Sequence, residues 1–195
     1  MIRVGVIGGI GSGKSFISKL FKSPVFNADK EVNILYKNSL ECYKKLNKKL
    51  PRFVKSFPVS KIQLIKAIKH DKKNLKKISS VVHPFVRKKM SYFLKKNKLS
   101  KIIVLDIPLL IENKLYKKSD ILVFVTSSQN KIINRLKKRK NYDKKIVVNL
   151  RNNQAALSKK RKLANYIVDN NFSPNIMKKK INILKNKILN ERNST

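Results

Sequence analysis

The chain has 195 residues, 42% of them hydrophobic, and a formal net charge of +38. This length and composition suit one globular domain with room for an inserted subdomain. No apolar run approaches the length of a membrane-spanning helix, and the N-terminal residues lack the pattern of a signal peptide. The single cysteine, Cys42, excludes an internal disulfide and a cysteine zinc cluster. We therefore expect a soluble, cytoplasmic protein.

The large positive charge has two interpretations. On its own it favours a nucleic-acid-binding protein. Three features favour compositional drift instead, since lysine and asparagine have A-rich codons: lysine far outnumbers arginine, uncharged asparagine is abundant, and lysine pairs recur along the whole chain, as at 44–45, 95–96 and 159–160. We therefore expect no specific nucleic-acid partner, although such a field would attract an acidic, phosphorylated small molecule.

Five short apolar runs predict the strands of one parallel sheet. Continuous runs of this kind are typical of strands that are covered on both faces. In chain order the runs are IRVGVI (2–7), VFNAD (25–29), IIVLDI (102–107), ILVFV (121–125) and the weaker NYIVDN (165–170).

Helical patterns occupy most of the remaining chain. Phe16, Ile17, Leu20 and Phe21 lie on one face of a helix that follows the first strand. About seventy residues without a convincing strand separate the second and third strands. Their predicted helices are KIQLIKAIKH after a Ser60 N-cap, KKNLKKISSV after Asp71, and FVRKKMSYFLKK after Pro84. The order of elements predicts a doubly wound α/β fold with a helical insertion.

The most specific motif is GGIGSGKS, which we call the glycine loop (residues 8–15). Gly8, Gly13, Lys14 and Ser15 satisfy G-x-x-x-x-G-K-[ST], between a predicted strand and a predicted helix. All five glycines of the chain lie at 5, 8, 9, 11 and 13. Such a loop surrounds phosphates with backbone N–H groups, so it predicts bound ATP or GTP.

Each part of the glycine loop has an expected role. Lys14 should reach the β- and γ-phosphates, and the Ser15 hydroxyl should help to hold Mg²⁺. The nucleotide-contacting residues are expected to be Gly9, Ile10, Gly11, Ser12, Gly13, Lys14, Ser15 and Phe16. The alternative, a chance match in a tight turn, does not account for the clustered glycines. Hydrolysis, mechanical work and transfer to a small molecule remain open, but the short chain and the absent N-K-x-D signature of GTPases favour a small-molecule kinase.

Two carboxylates follow predicted strands. Asp29 lies at the predicted carboxyl end of the second strand, where it could accept a proton from an attacking hydroxyl. An N-cap for the following KEVNILYK helix is an equally plausible role. Asp106 ends the strongly apolar third strand, as a magnesium-orienting acid or as a turn residue. Pro108 then directs the chain out of the sheet.

Taken in order, these motifs resemble the dephospho-CoA kinase family over essentially the whole chain. GGIGSGKS resembles the opening loop of the family, and NADKEV is similar to its D-A-D segment. VVHPFVR, DIPLLIENKLYKKSD, RLKKRKNYD and QAALSKKRKLANYIVDNN resemble its H-P, P-L-L-x-E, lid and tail segments. Many families share the loop, but the later segments in this order are much more specific.

The resemblance implies the P-loop NTPase three-layer fold: one domain (1–195), with a helical acceptor-binding insertion (31–98) and a small helical lid (131–160). It implies that ATP, with Mg²⁺, phosphorylates the 3′-hydroxyl of the ribose of dephospho-CoA. The implied roles are Asp29 as base, Lys14 and Arg139 as further catalytic residues, and Asn170 as a nucleotide contact. Acceptor binding is expected of Asp29, His83, Pro84, Leu110 and Glu112. Arg135 and Arg139, four residues apart, would share one helical face.

The chain departs from the family pattern at three positions. Asn27 replaces the first aspartate of D-A-D, Asn165 replaces an aspartate of the tail, and Phe172 stands where a glycine often follows I-x-N. Two rival functions remain: a kinase for another small acceptor, such as a nucleoside monophosphate, and a basic P-loop protein that binds nucleic acid. The sequence leaves the oligomeric state open.

Overall fold

The computed structural model describes residues 1–138, 142, 147–148, 152 and 154–193. The chain divides into two compact units. The α/β unit comprises Met1–Asn27 and Asn97–Thr195, and the helical unit comprises Ala28–Lys96. Elements within the described residues are β1 (Ile2–Gly8), α1 (Lys14–Leu20), β2 (Val25–Asn27), α2 (Ala28–Asn38), α3 (Leu40–Lys49), α4 (Lys61–His70), α5 (Lys73–Lys96), β3 (Ile102–Asp106), β4 (Ile121–Thr126), α6 (Gln129–Lys137), α7 (Leu157–Leu163), β5 (Tyr166–Asp169) and α8 (Pro174–Asn193).

The α/β unit contains a five-stranded sheet of order β2-β3-β1-β4-β5, in which every pairing is parallel. This confirms the predicted α/β fold with five parallel strands. The central strand β1 pairs with both β3 and β4 and is almost wholly buried. Its carboxyl end leads directly into the glycine loop, so the most constrained strand of the sheet supports the loop.

Apolar side chains of the sheet and of two helices form the core of the α/β unit. Val4, Val104 and Val123 of the sheet pack with Ile17 of α1 and Met177 of α8, among others. Burial of an aliphatic side chain of this size contributes roughly 1.5–3 kcal/mol. The predicted apolar face of α1 is therefore the face that anchors the helix behind the loop.

The helical unit is built from α2 to α5. Ser60 caps α4 as predicted, its Oγ accepting the N–H of Ile62 at 3.2 Å, and Asp71 Oδ1 accepts the N–H of Lys73 at 2.8 Å at the start of α5. Cys42 is fully buried and packs in this unit as a small apolar residue. No described helix is both long enough and apolar enough to cross a membrane.

Two expected boundaries were wrong. The helix predicted to begin after Pro84 is instead the second half of α5, which runs through Pro84 without a break. Buried Ile78 and Val82 before the proline, and Val86 after it, face the same core, so packing holds both halves in one helix. The second strand ends at Asn27 and not at Asp29, because α2 begins immediately at Ala28.

Candidate functional site

The backbone of the glycine loop adopts conformations that require glycine at three positions. The φ angles are 147° at Gly8, 83° at Gly11 and 92° at Gly13. A Cβ on Gly8 would collide with the carbonyl oxygen of Val125 of β4, and a Cβ on Gly13 would collide with Asn170 Nδ2. The loop is therefore pressed against the neighbouring strand ends, and only glycine permits that approach.

Asn170 braces the glycine loop from the side of β5. Its side chain is fully buried; Nδ2 donates to the carbonyl oxygen of Ser12 at 2.9 Å, and Oδ1 accepts the N–H of Phe172 at 2.9 Å. Its own N–H donates to the carbonyl oxygen of Thr126 at 2.8 Å. A residue with both side-chain ends engaged in this way positions the loop, and its predicted contact with the nucleotide stays a prediction.

The side chains of the glycine loop divide into buried and accessible ones. The Lys14 amine donates to the carbonyl oxygens of Gly8 (3.2 Å) and Gly9 (2.8 Å), so its charge lies within the loop. Ser15 is exposed at the start of α1. The Ser12 Oγ is buried and has no hydrogen-bond partner among the described residues. The Ser12 N–H donates to the carbonyl oxygen of Gly9 at 3.4 Å, so Ser12 contributes to the shape of the loop, whereas Ser15 offers an accessible hydroxyl.

Asp106 and Asn27 lie directly opposite each other at the carboxyl ends of β3 and β2. Asn27 Nδ2 donates to Asp106 Oδ2 at 2.5 Å, and Asp106 is buried. An amide at position 27 can donate this bond to an ionised carboxylate, which an ionised aspartate cannot do. Asn27, the first departure from the family pattern, therefore has a hydrogen-bond partner in Asp106.

Glu112 forms an ion pair that joins the P-L-L-x-E segment to the tail. Its Oε1 lies 2.8 Å from Lys160 Nζ and accepts the N–H of Ala155 at 2.8 Å. The Glu112 side chain is 15% exposed, whereas the Lys160 side chain is only 1% exposed. Burial alone would raise the pKa of the Glu112 carboxyl, but the bonds from Lys160 and Ala155 and the lysine charge together lower that pKa below its usual value.

Leu110 belongs to the same segment and packs against the sheet. Its side chain is 1% exposed and packs on Gly5, where a Cβ would come within 2.6 Å of Leu110 Cδ2. Gly5 thus makes room for the leucine inside the sheet. The structure places Leu110 in the core, and its part in acceptor binding would be to hold the turn that carries Glu112.

In the helical unit, Asp29 is exposed in the first turn of α2, which begins at Ala28. It is therefore a residue inside the helix and not the N-cap that the sequence also allowed. His83 lies half-buried on α5; burial first, and then the charge of Arg87, lower the pKa of its imidazole. The ring is accordingly neutral at pH 7 and can both donate and accept a hydrogen bond.

A groove of about 800 Å³ runs between α2, α3 and α5 within the helical unit. Ile34, Val81, Pro84 and Phe85 contribute its apolar surface; its charged rim is Glu41, Lys45, Lys49, Lys88 and Lys89. Lys45 Nζ lies 5.1 Å from the Phe85 ring centroid, and Lys49 donates to Ser80 Oγ at 2.8 Å. Pro84, a predicted acceptor-binding residue, therefore faces an open, positively rimmed groove.

The structure describes one of the two arginines of the predicted lid. Arg139 lies outside the described residues, as does part of the predicted lid (131–160). Arg135 extends from α6, with its Cζ 4.3 Å from the centroid of the Phe172 ring. Phe172 keeps a φ of 64°, so the backbone retains the conformation that the glycine of the family would favour. At the second departure, Asn165 Oδ1 accepts the N–H of Leu122 at 2.8 Å, as an aspartate oxygen would.

Lys160 was missed as a site residue. No local pattern distinguishes Lys160 from the other members of a set of 48 lysines and arginines, because burial is decided by the tertiary structure. Its place in the tail segment of the resemblance was the only available signal.

A parallel five-stranded sheet with this glycine loop after its central strand is the P-loop fold, which the chain shares with the solved structures it resembles. The family model of dephospho-CoA kinase matches residues 2–175. The chain belongs to the dephospho-CoA kinase family.

Individual relatives agree with this assignment. The chain is 33% identical over 175 residues to the dephospho-CoA kinase of Wolbachia pipientis wMel, covering 87% of this chain and 89% of the relative. The structure resembles TT1252 from Thermus thermophilus with a TM-score of 0.78, at 24% identity and 97% coverage of both chains. It also resembles the dephospho-CoA kinase of Campylobacter jejuni with a TM-score of 0.63, at 20% identity and coverage of 95% and 96%.

Proposed function

We propose that the protein transfers the γ-phosphoryl group of ATP to the 3′-hydroxyl of the ribose of dephospho-CoA, giving coenzyme A and ADP. The observation that carries the proposal is membership of the dephospho-CoA kinase family, together with an intact glycine loop on the central strand. The reaction makes one bond, from the ribose oxygen to phosphorus, and breaks the bond between the γ-phosphorus and its bridging oxygen. The cell location that fits this reaction is the cytoplasm.

The glycine loop binds the ATP phosphates. Backbone N–H groups within residues 9–16 would donate to phosphate oxygens, and the Lys14 amine would exchange its present carbonyl partners for the β- and γ-phosphates. Because phosphoryl transfer leaves little covalent chemistry to the protein, this positioning and charge neutralisation supply most of the catalysis.

The Ser15 hydroxyl at the start of α1 and the Asp106 carboxylate at the end of β3 offer the oxygen ligands that Mg²⁺ prefers. Among the described residues no group of three or more His, Cys, Asp or Glu side chains could enclose a metal, but magnesium typically takes one or two protein oxygens and completes its shell with phosphates and water. The Ser15 hydroxyl would hold the ion, with the buried Asp106 carboxylate orienting its waters. The ion would neutralise charge on the transferred phosphoryl group.

Asp29 is the base of the proposed reaction, and its exposed carboxylate accepts the proton of the attacking hydroxyl. His83, neutral at pH 7, offers a hydrogen bond to the acceptor. Pro84 and the lysine-rimmed groove provide an apolar surface beside positive charge, which matches an acceptor that combines a diphosphate with a long, weakly polar arm. Glu112 and Leu110 support the acceptor side by holding the turn after β3.

Arg139 completes the proposed catalytic set by neutralising charge on the transferring phosphoryl group, within a lid that spans residues 131–160. Closure of such a lid excludes water and thereby favours transfer over hydrolysis.

The proposal is tested by product analysis. Purified protein, MgATP and either dephospho-CoA, AMP or no acceptor are incubated, and mass spectrometry follows the products. We expect a phosphate-sized mass gain on dephospho-CoA alone. Asp29→Asn should lower kcat by about 10²–10⁴-fold with little change in the KM for ATP, because only the proton acceptor is removed.

Glu31→Gln, which removes another acidic side chain in the first turn of α2, is the matched control and should retain activity. A mass gain on AMP would favour the rival acceptor. Protein that binds ATP but phosphorylates neither compound, and whose ATP turnover responds to RNA or DNA, would favour the nucleic-acid-binding alternative.

A further inference from the structure

Lys160 is the one lysine or arginine among the described residues that is fully buried. Its ammonium group lies 2.8 Å from Glu112 Oε1 and 3.5 Å from Gln154 Oε1. A buried ammonium group is unfavourable unless its partners are fixed, so this side chain has a defined position and not a range of positions. The lysine therefore also fixes the place of the carboxylate oxygen that it meets.

The backbone around Lys160 is held on two sides. Leu157, in the first turn of α7, has its Cδ2 3.4 Å from the position that a Cβ on Gly9 would occupy, so the leucine rests on the glycine loop. Ala155, two residues before α7, donates its N–H to Glu112 Oε1 at 2.8 Å. Residues 154–160 thus contact both the glycine loop and the turn after β3, and they form a firm base for the buried lysine.

The two oxygens of the Glu112 carboxylate have different surroundings. Lys160 and Ala155 both donate to Oε1, whereas Oε2 is buried and has no hydrogen-bond partner among the described residues. An ionised carboxylate can only accept hydrogen bonds, and a buried oxygen without a donor is unfavourable. Because 15% of the side chain is exposed, the carboxylate borders solvent, and Oε2 is the oxygen left for an O–H or N–H of a bound molecule.

A second ion pair of the sheet provides a comparison. Arg3 Nη2 lies 3.0 Å from Asp120 Oδ2, and only 1% of the Asp120 side chain is exposed. Arg3 is near the amino end of β1 and Asp120 directly precedes β4, so this pair lies at the end of the sheet opposite to the glycine loop. The Arg3–Asp120 pair is thus closed to a ligand, whereas the Glu112–Lys160 pair borders solvent on the side of the loop.

We propose that Lys160 is a positioning residue for acceptor binding: it holds Glu112 Oε1 and thereby keeps Oε2 oriented toward a hydroxyl or amide N–H donor of the phosphoryl acceptor. The inference rests on the proposed function, which supplies an acceptor with such donors. Lys160 does not contact the acceptor, because its side chain is buried. Without its ammonium group the carboxylate is free to rotate, so acceptor affinity falls while the nucleotide site is unchanged.

Steady-state kinetics of the full chain with MgATP and dephospho-CoA test the role of Lys160. Lys160→Met keeps a long side chain and removes the charge. We expect the KM for dephospho-CoA to rise about tenfold, the effect of weakening one charge-assisted hydrogen bond, and the KM for ATP to change less than about twofold. Lys159→Met, which removes an exposed charge from the same helix, is the matched control and should change neither KM.

Two further variants separate positioning from a general loss of stability. Asp120→Asn breaks the comparison pair and should lower the melting temperature at least as much as Lys160→Met, with both KM values unchanged. Glu112→Gln weakens the proposed contact directly, so Lys160→Met should cause no further rise in the KM for dephospho-CoA when the two are combined. Isothermal titration calorimetry with dephospho-CoA checks that the change in KM is a change in affinity.

Equal rises in the KM for dephospho-CoA in Lys160→Met and Asp120→Asn would make the lysine a merely structural residue and would overturn the proposal. An unchanged KM in Lys160→Met would overturn it too, as would a rise that persists in the Glu112→Gln background. A failure of the proposed function has a different signature: parent protein that binds ATP but does not phosphorylate dephospho-CoA contradicts the acceptor assignment, and the inference about Lys160 falls with it.

Discussion

The surroundings of the glycine loop and the helical unit are held together in different ways. Around the loop, backbone geometry dictates the residue: three glycines with positive φ lie against strand ends, and buried Asn170 connects the loop to β5. In the helical unit, amphipathic helices bury aliphatic side chains and leave lysines on the rim of a groove. The comparison shows where a lysine-rich composition is tolerated: lysines line the rim of the groove in the helical unit, while four of the five glycines of the chain lie in the glycine loop.

The largest expected effect is that of Gly13→Ala. An alanine there has a strained φ and a Cβ that collides with Asn170, so we expect a loss of about 2–4 kcal/mol of unfolding free energy and at least a hundredfold weaker ATP binding. Chemical denaturation measures the unfolding free energy, and isothermal titration calorimetry measures the affinity for ATP.

Gly9→Ala is the matched control within the loop. Its Cβ would lie 3.4 Å from Leu157 Cδ2, an ordinary contact, so unfolding free energy should change by less than about 1 kcal/mol. Equal destabilisation by both variants would show that backbone geometry is not what distinguishes the two glycines.

A second prediction concerns the Glu112–Lys160 ion pair. Glu112→Gln should cost about 3 kcal/mol because it leaves the charge of almost fully buried Lys160 without its counterion, whereas Lys160→Met should cost only about 1 kcal/mol because Glu112 is partly exposed. Urea denaturation of the two single variants and the double variant measures the loss of unfolding free energy in each and the coupling free energy between Glu112 and Lys160. Glu112→Gln costing no more than Lys160→Met would contradict this explanation.

The same pair predicts a pH dependence. The folded-state pKa of Glu112 is lowered from its ordinary value of 4.5, so its contribution to stability is present above that value and is lost as the pH falls through the lower folded-state pKa. The difference in unfolding free energy between the parent and Glu112→Gln should therefore shrink in acid and stay constant from pH 6 to 8. If this difference in unfolding free energy grew as the pH fell, the result would contradict a lowered pKa of Glu112.

Asn27→Asp restores the family residue at the end of β2. It replaces the donor of the 2.5 Å bond to Asp106 with a second carboxylate that faces the first, so we expect a loss of about 1–2 kcal/mol of unfolding free energy. Urea denaturation measures this loss. Asn27→Ala, which removes the bond without adding charge, should cost less, and an equal loss in both variants would contradict the part given to the added charge.

The smallest expected effect is that of Pro84→Ala in the helical unit. Alanine restores a backbone N–H in the interior of α5, and we expect about 1 kcal/mol of added stability. If Pro84 contacts the acceptor, the KM for dephospho-CoA rises while the KM for ATP stays constant. A destabilised variant would show that α5 depends on the proline for its packing.

Local signals predicted much of the fold. Five apolar runs became five parallel strands, and Ser60 caps α4 as its position before an apolar-periodic segment indicated. The sequence did not predict the strand boundary at Asn27 or the unbroken α5, because both depend on packing. The helix α2 begins at Ala28, directly after the Asn27–Asp106 pair, and buried valines on both sides of Pro84 outweigh its local preference. The catalytic and binding roles stay predictions, with Arg139 outside the described residues.

By itself, the sequence determined the glycine loop, the parallel α/β class and the family resemblance, because each is specified by residue type at short spacing: glycine where φ is positive, continuous apolar runs for covered strands, and ordered motifs along the chain. Only the tertiary structure decided which of many lysines is buried beside Glu112, which amide faces Asp106, and that Arg135 lies on Phe172. These contacts join residues far apart in the sequence, and no local preference encodes the distance between them.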